Sequence, residues 1–159
     1  MQKVVITGHD LTVDQIIAVC REGAEVVLSD ESREKILASR QVVNELVEER
    51  KVVYGITTGF GKFSDVVISQ DECKLLQKNL IITHAVGAGD PFKEDIARGI
   101  LLLRVNSLSN GFSGICLETV ETMIAMLNKG VTPFIPEKGS LGASGDLAPL
   151  SHMVLPMIG

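Results

Sequence analysis

The chain has 159 residues, of which 45% are hydrophobic and 22% are charged, a composition typical of globular proteins and not of disordered ones. Its formal net charge of −5 leaves no basic surface for binding phosphates, which argues against nucleic acids and anionic membrane surfaces as partners. Because the N-terminus lacks a secretory signal and no apolar run reaches the roughly 18 residues of a membrane span, we expect a cytoplasmic protein.

Two short apolar runs rich in β-branched residues, 4–6 and 26–28, predict a small two-stranded element near the N-terminus. A helix is predicted between them. Thr12 and Gln15 have the spacing of a capping box, in which each side chain bonds the backbone N–H of the other residue. Gly23 supplies the left-handed residue that ends this helix.

Four longer helices are predicted downstream. They run from Ser29 to about Arg50, from Ser69 towards His84, from Pro91 through the apolar residues 100–103, and from Ile115 to Asn128. Their starts carry caps, acidic residues or proline, and their apolar residues have helical spacing. The helix that contains residues 100–103 is apolar on nearly every face, which predicts that it is buried. The fold class is therefore mainly α.

The three cysteines, Cys20, Cys73 and Cys116, lie far apart and in no CxxC pair. Each occupies a position where a helix pattern expects an apolar residue. We interpret all three as buried thiols, and we expect neither a metal site nor a disulfide.

The segment 139–150, with the sequence GSLGASGDLAPL, is the most informative part of the chain. Because Gly145 has no Cβ, its amide nitrogen can approach the carbonyl carbon of Ala143 in a strained backbone. Loss of one water closes a five-membered imidazolone, and loss of the Ser144 hydroxyl as a second water leaves an exocyclic methylene. The product is an electrophile made from the chain alone. The alternative interpretation is a glycine-rich turn in front of a helix, with Asp146 as the N-cap.

Two further blocks contain residues that can do chemistry. Residues 53–61, VYGITTGFG, hold the only tyrosine, Tyr54, in a glycine-rich loop that is predicted to be mobile. Residues 79–89, NLIITHAVGAG, place His84 at the end of a helix. Taken alone, Tyr54 can be an aromatic residue that packs a loop, and His84 can be a partner of the helix C-terminal dipole. His152, on the helix that follows the glycine-rich segment, is interpreted as a structural polar group.

These three blocks together resemble the signature of the aromatic amino acid ammonia-lyases, and the resemblance extends over the whole chain. Members of this family carry a 4-methylidene-imidazol-5-one group (MIO) made from Ala-Ser-Gly. The resemblance implies an MIO formed from Ala143, Ser144 and Gly145, with Asp146 as an aid to cyclisation. It also implies an aspartase/fumarase-like helical fold and a homotetramer whose sites combine several subunits.

The same resemblance gives Tyr54 the role of catalytic base. Elimination of ammonia from an aromatic amino acid removes a β-hydrogen that is barely acidic, and the MIO group makes the amine a better leaving group. A phenol has a reference pKa of about 10. It becomes a useful base where a loop backbone or nearby helix N-termini stabilise the phenolate.

The identity of the substrate depends mainly on His84. Histidine-specific members of the family carry His at this position, where it can hydrogen-bond the substrate imidazole, and phenylalanine-specific members carry an apolar residue there. Residues 62–66 and 89–92 also resemble histidine-specific members. The resemblance therefore implies deamination of L-histidine to trans-urocanate and ammonia. Thr57 departs from this pattern, because many histidine-specific members have Asn there and many other members have Thr.

Two alternatives stay open. One is an MIO-dependent phenylalanine or tyrosine ammonia-lyase, or an aminomutase that returns the amine to the β-carbon. The other is a non-catalytic interaction module that keeps the helical scaffold, although such a module has no use for an Ala-Ser-Gly segment and a tyrosine loop in one chain.

We expect residues 1–110 to form an N-terminal domain with the Tyr54 loop, and residues 111–159 to begin a central helical domain. The mean hydropathy of +0.28 is high for a self-contained soluble domain, and the apolar run 155–159 needs to be buried. We therefore expect the chain to be part of a longer protein. The isolated chain is expected to be inactive, with an uncyclised Ala-Ser-Gly segment.

Overall fold

A computed structural model describes residues 2–59, 70–142 and 145–159, with the backbone alone at residues 70–74. In these residues the chain forms six α-helices and four short strands. Their order is β1 (Lys3–Ile6), α1 (Val13–Arg21), β2 (Glu25–Leu28), α2 (Asp30–Glu48), α3 (Gln70–His84), β3 (Ala88–Pro91), α4 (Glu94–Leu108), α5 (Leu117–Asn128), β4 (Pro136–Lys138) and α6 (Ala148–Val154). A 3₁₀ turn, Leu155–Met157, follows α6. The structure is mainly helical, as predicted.

The N-terminal β-α-β unit has the form that its sequence predicts. β1 and β2 pair in parallel, with Val4 opposite Val26, and α1 connects them. At the start of α1, the Gln15 N–H donates to Thr12 Oγ1 at 3.3 Å, and the Thr12 N–H donates to Gln15 Oε1 at 2.8 Å. The capping box is therefore confirmed, and Gly23 follows the helix with the predicted left-handed φ of 73°.

The last residue of α5 covers the second edge of β2. Asn128 Nδ2 donates to the Val26 carbonyl at 2.9 Å, and the Val26 N–H donates to Asn128 Oδ1 at 2.8 Å. The amide side chain thus satisfies the backbone groups that a neighbouring strand would otherwise bond. These two hydrogen bonds attach the N-terminal sheet to α5.

One buried cluster joins the N-terminal unit to the helices that follow. α4 packs against α1 and α5, and α5 also packs against β2. The least exposed side chains come from all of these parts of the chain and include Val4, Val19, Leu101, Leu102, Val105, Val120 and Ile135. Members of the cluster lie on both sides of residue 110. The domain boundary near that position stays a prediction.

The start of α4 differs from the prediction. The helix begins at Glu94 and not at Pro91, because Pro91 ends β3, which pairs antiparallel with β4. The Phe92 N–H donates to the Ile135 carbonyl at 2.9 Å, which continues the pairing almost to the helix. Residues 88–91, AGDP, contain no β-branched residue, so strand propensity does not reveal β3.

Burial of α4 is also less complete than predicted. Leu101 and Leu102 are fully buried, but Leu103 is 51% exposed. The prediction that residues 100–103 are buried on every face is therefore wrong within the described part of the chain. α4 packs against α1 and α5, and Leu103 lies on the part of its surface that these helices do not cover.

The other helix limits lie close to the predicted ones. Ser29 caps α2, and its Oγ accepts the Ser32 N–H at 3.1 Å. α5 begins at Leu117, two residues after the predicted Ile115, and ends at Asn128 as predicted. The predicted cap at Ser69 lies outside the described residues.

The cysteines are less buried than predicted. Cys20 and Cys116 are half-buried free thiols, because both lie at helix ends where packing is incomplete. Burial raises the pKa of the Cys20 thiol. The side chain of Cys73 lies outside the described residues. Within residues 2–59, 70–142 and 145–159, no group of His, Cys, Asp and Glu is suited to a metal ion, and no helix is long and apolar enough to cross a membrane.

Candidate active site

The loop in front of α6 is organised by the carboxylate of Asp146. Asp146 Oδ1 accepts three hydrogen bonds, from the Ser140 N–H at 2.7 Å, from Ser140 Oγ at 3.1 Å and from the Ala148 N–H at 3.2 Å. The bond from the Ser140 backbone is the main reason why the pKa of Asp146 lies below its usual value. The carboxylate therefore ties the start of the loop, at Ser140, to the first residue of α6.

The Asp146 carboxylate caps the first turn of α6, as the simpler interpretation of this segment expects, although it does so from the residue before the N-cap position. The N-cap position belongs to Leu147, whose backbone is helical and whose side chain makes no capping bond. Asp146 reaches past Leu147 to the N–H of Ala148. A Cβ on Gly139 would overlap the Asp146 carboxylate. Glycine at position 139 is thus needed for the loop to close around this side chain.

Gly145 has a backbone that suits the predicted cyclisation. Its φ is 100°, a conformation that L-residues rarely adopt. Its N–H donates to the Gly142 carbonyl at 3.4 Å, and these two glycines lie on either side of Ala143 and Ser144. Ala143 and Ser144 themselves lie outside the described residues. The described part of the loop therefore fits the glycine requirement of an MIO-forming segment.

His84 is the last residue of α3, and its ring has a defined tautomer. His84 Nδ1 lies 2.8 Å from the Leu80 carbonyl oxygen. Because a carbonyl can only accept, Nδ1 carries the proton, and Nε2 of the neutral ring keeps a lone pair. The bond to Leu80 belongs to the last turn of the helix, as the helix-end interpretation of His84 requires. It also orients the ring so that Nε2 can accept a hydrogen bond from a ligand.

The exit of α3 is attached to α6, the helix that follows the cyclising segment. α3 packs against α6, and the Gly87 N–H donates to His152 Nε2 at 2.9 Å. A Cβ at Gly87 would lie 3.0 Å from Pro136 Cβ and 3.1 Å from His152 Nε2. This bond supports the interpretation of His152 as a structural polar group, with the Gly87 N–H as its hydrogen-bond partner. The structure brings His84 and the loop of Gly145 and Asp146 into one assembly of α3, β3, β4 and α6.

Tyr54 lies in a loop that two threonines hold in shape. Thr57 Oγ1 accepts the Val53 N–H at 2.9 Å and donates to the Lys51 carbonyl at 2.5 Å. Thr58 Oγ1 accepts the Gly55 N–H at 3.3 Å. Both threonine side chains are buried, whereas Tyr54 is 62% exposed. The role of Tyr54 as a base and the predicted mobility of its loop stay predictions.

Sequence reasoning missed several residues that shape this site. It treated Thr57 as a marker of substrate class, but in the structure the Thr57 hydroxyl hydrogen-bonds the backbone of the Tyr54 loop, at Val53 and Lys51. It also missed the pairing of Gly87 with His152 and the anchoring of Asp146 by Ser140. The signals were a histidine one turn into a helix and a serine next to a glycine, and both are too common to identify a partner. Residues 62–66, used for the substrate prediction, lie outside the described residues.

Comparison with known proteins shows the family of this chain. The family model described as aromatic amino acid lyase matches residues 11–159. Histidine ammonia-lyases of Caldanaerobacter subterraneus subsp. tengcongensis and Alkaliphilus oremlandii are 62% and 63% identical to this chain over 159 residues. The match covers 100% of this chain and 31% of each relative, so the chain spans about a third of the length of these curated relatives.

Solved structures of the family have the same fold over nearly the whole chain. The histidine ammonia-lyase of Trypanosoma cruzi superposes with a TM-score of 0.89 at 43% identity, covering 99% of this chain and 30% of that one. Ergothionase of Treponema denticola gives a TM-score of 0.93 at 32% identity, covering 99% and 32%. Tyrosine aminomutase of Streptomyces globisporus gives 0.90 at 38% identity, covering 99% and 29%. The chain belongs to the aromatic amino acid lyase family.

Proposed function

We propose that the longer protein represented by this chain eliminates ammonia from L-histidine and releases trans-urocanate. The observation that carries the proposal is His84, which donates through Nδ1 to Leu80 and keeps Nε2 as an acceptor. An imidazole N–H of the substrate is a matching donor. An apolar aromatic ring would leave this acceptor unpaired, which penalises phenylalanine. The curated relatives at 62% and 63% identity are named histidine ammonia-lyases, which supports the same substrate.

The electrophile in this proposal is the MIO group, formed from Ala143, Ser144 and Gly145. When present, it supplies an electron-poor centre that makes the substrate amine a better leaving group. The left-handed Gly145 supports this assignment, because ring closure needs a residue without Cβ at that position. Asp146 aids cyclisation by holding the loop closed between Ser140 and the start of α6.

Tyr54 is the proposed base for the β-proton. Its exposure among the described residues supports access to a ligand. The buried hydroxyls of Thr57 and Thr58 fix the backbone on the C-terminal side of Tyr54, so the phenol is carried by a loop of defined shape. A base that is held in position contributes typically about 10²- to 10⁴-fold to the rate.

The remaining parts of the proposal concern the whole protein. It is a cytoplasmic homotetramer in which residues 1–110 form the N-terminal domain and residues 111–159 begin the central helical domain. Phe112 is 91% exposed and Leu141 is completely exposed in this chain. The exposure of such large apolar side chains supports an assembly in which other parts of the protein bury them.

A second candidate is an MIO-dependent lyase or aminomutase for phenylalanine or tyrosine. Thr57 and the structural similarity to a tyrosine aminomutase favour it. The position of Thr57 weakens the first argument, since its hydroxyl bonds the loop backbone. A non-catalytic helical module is the least supported alternative.

Product analysis of the full-length protein separates these functions. The purified protein is incubated separately with L-histidine, L-phenylalanine and L-tyrosine, and urocanate, cinnamate, coumarate and β-amino acids are quantified. We expect urocanate and ammonia in equal amounts from histidine, and little product from the other two amino acids. Cinnamate, coumarate or a β-amino acid as the main product would contradict the proposed substrate. Absence of every product, with Ala-Ser-Gly unmodified, would indicate a non-catalytic module.

A further inference from the structure

The hydrogen bond between Gly87 and His152 joins the two parts of the candidate site that are far apart in sequence. Gly87 follows α3 three residues after His84, and His152 lies on α6, six residues after Asp146. We propose that His152 is a positioning residue, which sets the location of His84 relative to the electrophile-forming loop. This inference rests on the proposed function, because it gives His84 the task of binding the substrate.

His152 acts through one ring nitrogen. The Gly87 N–H can only donate, so His152 Nε2 accepts, and the proton of the neutral ring is on Nδ1. The imidazole thus supplies an acceptor for a backbone N–H that lies beyond the end of α3. The 2.9 Å bond therefore satisfies a backbone donor and fixes the separation of the two helices.

The contact between Gly87 and His152 is tightly packed on the Gly87 side. A Cβ added to Gly87 would lie 3.0 Å from Pro136 of β4 and 3.1 Å from His152 Nε2. The chain between Gly87 and His84 is short and bonded, since the Val86 N–H donates to the His84 carbonyl at 2.9 Å. A displacement of Gly87 is thus transmitted to His84.

The contact is equally direct on the α6 side. α6 begins at Ala148, whose N–H is held by Asp146 Oδ1 at 3.2 Å. His152 therefore occupies the second turn of a helix whose first turn is bonded to the loop of Gly145. Both ends of this connection lead to residues with proposed roles in the reaction.

A positioning role and a purely structural role make different predictions for a double-mutant cycle. If His152 acts through His84, its replacement costs activity only while the His84 imidazole is present. If His152 only stabilises the fold, the loss is the same with or without that imidazole.

The experiment measures kcat and KM for histidine in the full-length protein. The variants are His152→Phe, His152→Gln, Gly87→Ala and each of these combined with His84→Leu, with Ser151→Ala on the same helix as control. We expect His152→Phe and Gly87→Ala to lower kcat/KM about tenfold, mainly through KM, with the two-water mass loss of the MIO group retained. His152→Gln, whose side-chain oxygen can accept the Gly87 N–H, should restore most of the loss. In the His84→Leu background, the further loss should shrink to about twofold or less.

Equal losses in both backgrounds, or no loss in any single variant, would overturn the inference. Unfolding is detected separately by the thermal midpoint, and Gly87→Ala tests the same contact if His152→Phe does not fold. If the wild-type protein converts phenylalanine or tyrosine and not histidine, the proposed substrate is wrong. The same cycle is then run with that amino acid, and a vanishing coupling between positions 152 and 84 overturns the inference about His152.

Discussion

Individual side chains of the candidate site differ in what they leave available to a ligand. Asp146 Oδ1 and His152 Nε2 bond the protein itself, and so does the hydroxyl of Thr57. His84 uses Nδ1 for Leu80 and keeps its Nε2 lone pair, and Tyr54 exposes most of its surface. The placement of Tyr54 and His84 on the substrate stays a prediction.

Tyr54→Phe tests the proposed base in the full-length protein. The substitution removes one oxygen and keeps the ring, so folding and the two-water mass loss should be unchanged. We expect kcat to fall about 10²- to 10⁴-fold, measured by urocanate formation. A kcat close to the wild-type value would show that Tyr54 only packs its loop.

His84→Leu tests substrate recognition. Removing the Nε2 acceptor should weaken use of histidine by about 1 to 3 kcal/mol in kcat/KM and improve use of phenylalanine or tyrosine. The matched control is His9→Leu, because His9 is an exposed histidine in the N-terminal turn. An unchanged kcat/KM for histidine would leave His84 as a helix-end residue alone.

Loops and helix ends, more than helix interiors, determine this site. The capping box of α1, the cap of α2 and the end of α5 were predictable, because each depends on residues within a few positions. The strand β3 and the start of α4 were not, since the antiparallel pairing with β4 overrides the local preference of a proline. The pairing of Gly87 with His152 spans 65 positions and leaves no local pattern.

The hydrogen bonds of Asp146 in the loop between Ser140 and Ala148 predict how the stability of the fold depends on pH. The pKa of Asp146 is lower in the folded chain, mainly through the Ser140 backbone bond. Its ionised form therefore stabilises the fold above the usual aspartate pKa, and this contribution disappears as the pH falls through the lowered pKa. We expect Asp146→Asn to have a lower thermal midpoint at neutral pH and a smaller deficit in acid.

The matched control for that series is Asp90→Asn, an exposed aspartate on β3. The cyclised fraction, measured by intact mass, should fall in Asp146→Asn and stay complete in the control. A stability deficit that is independent of pH would mean that the negative charge of Asp146 does not matter to the loop.

The described residues combine a well-packed core with large apolar side chains that are exposed outside it. The core cluster connects β1, β2, α1, α4 and α5, while Phe112, Phe134 and Leu141 are mostly exposed. Strain in the Ala-Ser-Gly segment persists only where surrounding structure enforces it. We therefore expect residues 1–159 alone to be inactive and to show the full mass of the unmodified sequence. A mass lower by two waters in the isolated chain would show that local sequence directs cyclisation.

The central claim is that residues 143–145 become an electrophile in the longer protein. The most direct measurement is the mass of the proteolytic peptide that contains residues 139–150, taken from the full-length protein and from its Ser144→Ala variant. The account predicts a wild-type peptide lighter than its sequence by two waters, and a variant peptide that has not lost the second water. A wild-type peptide with the full sequence mass, in protein that is folded and deaminates histidine, would contradict it.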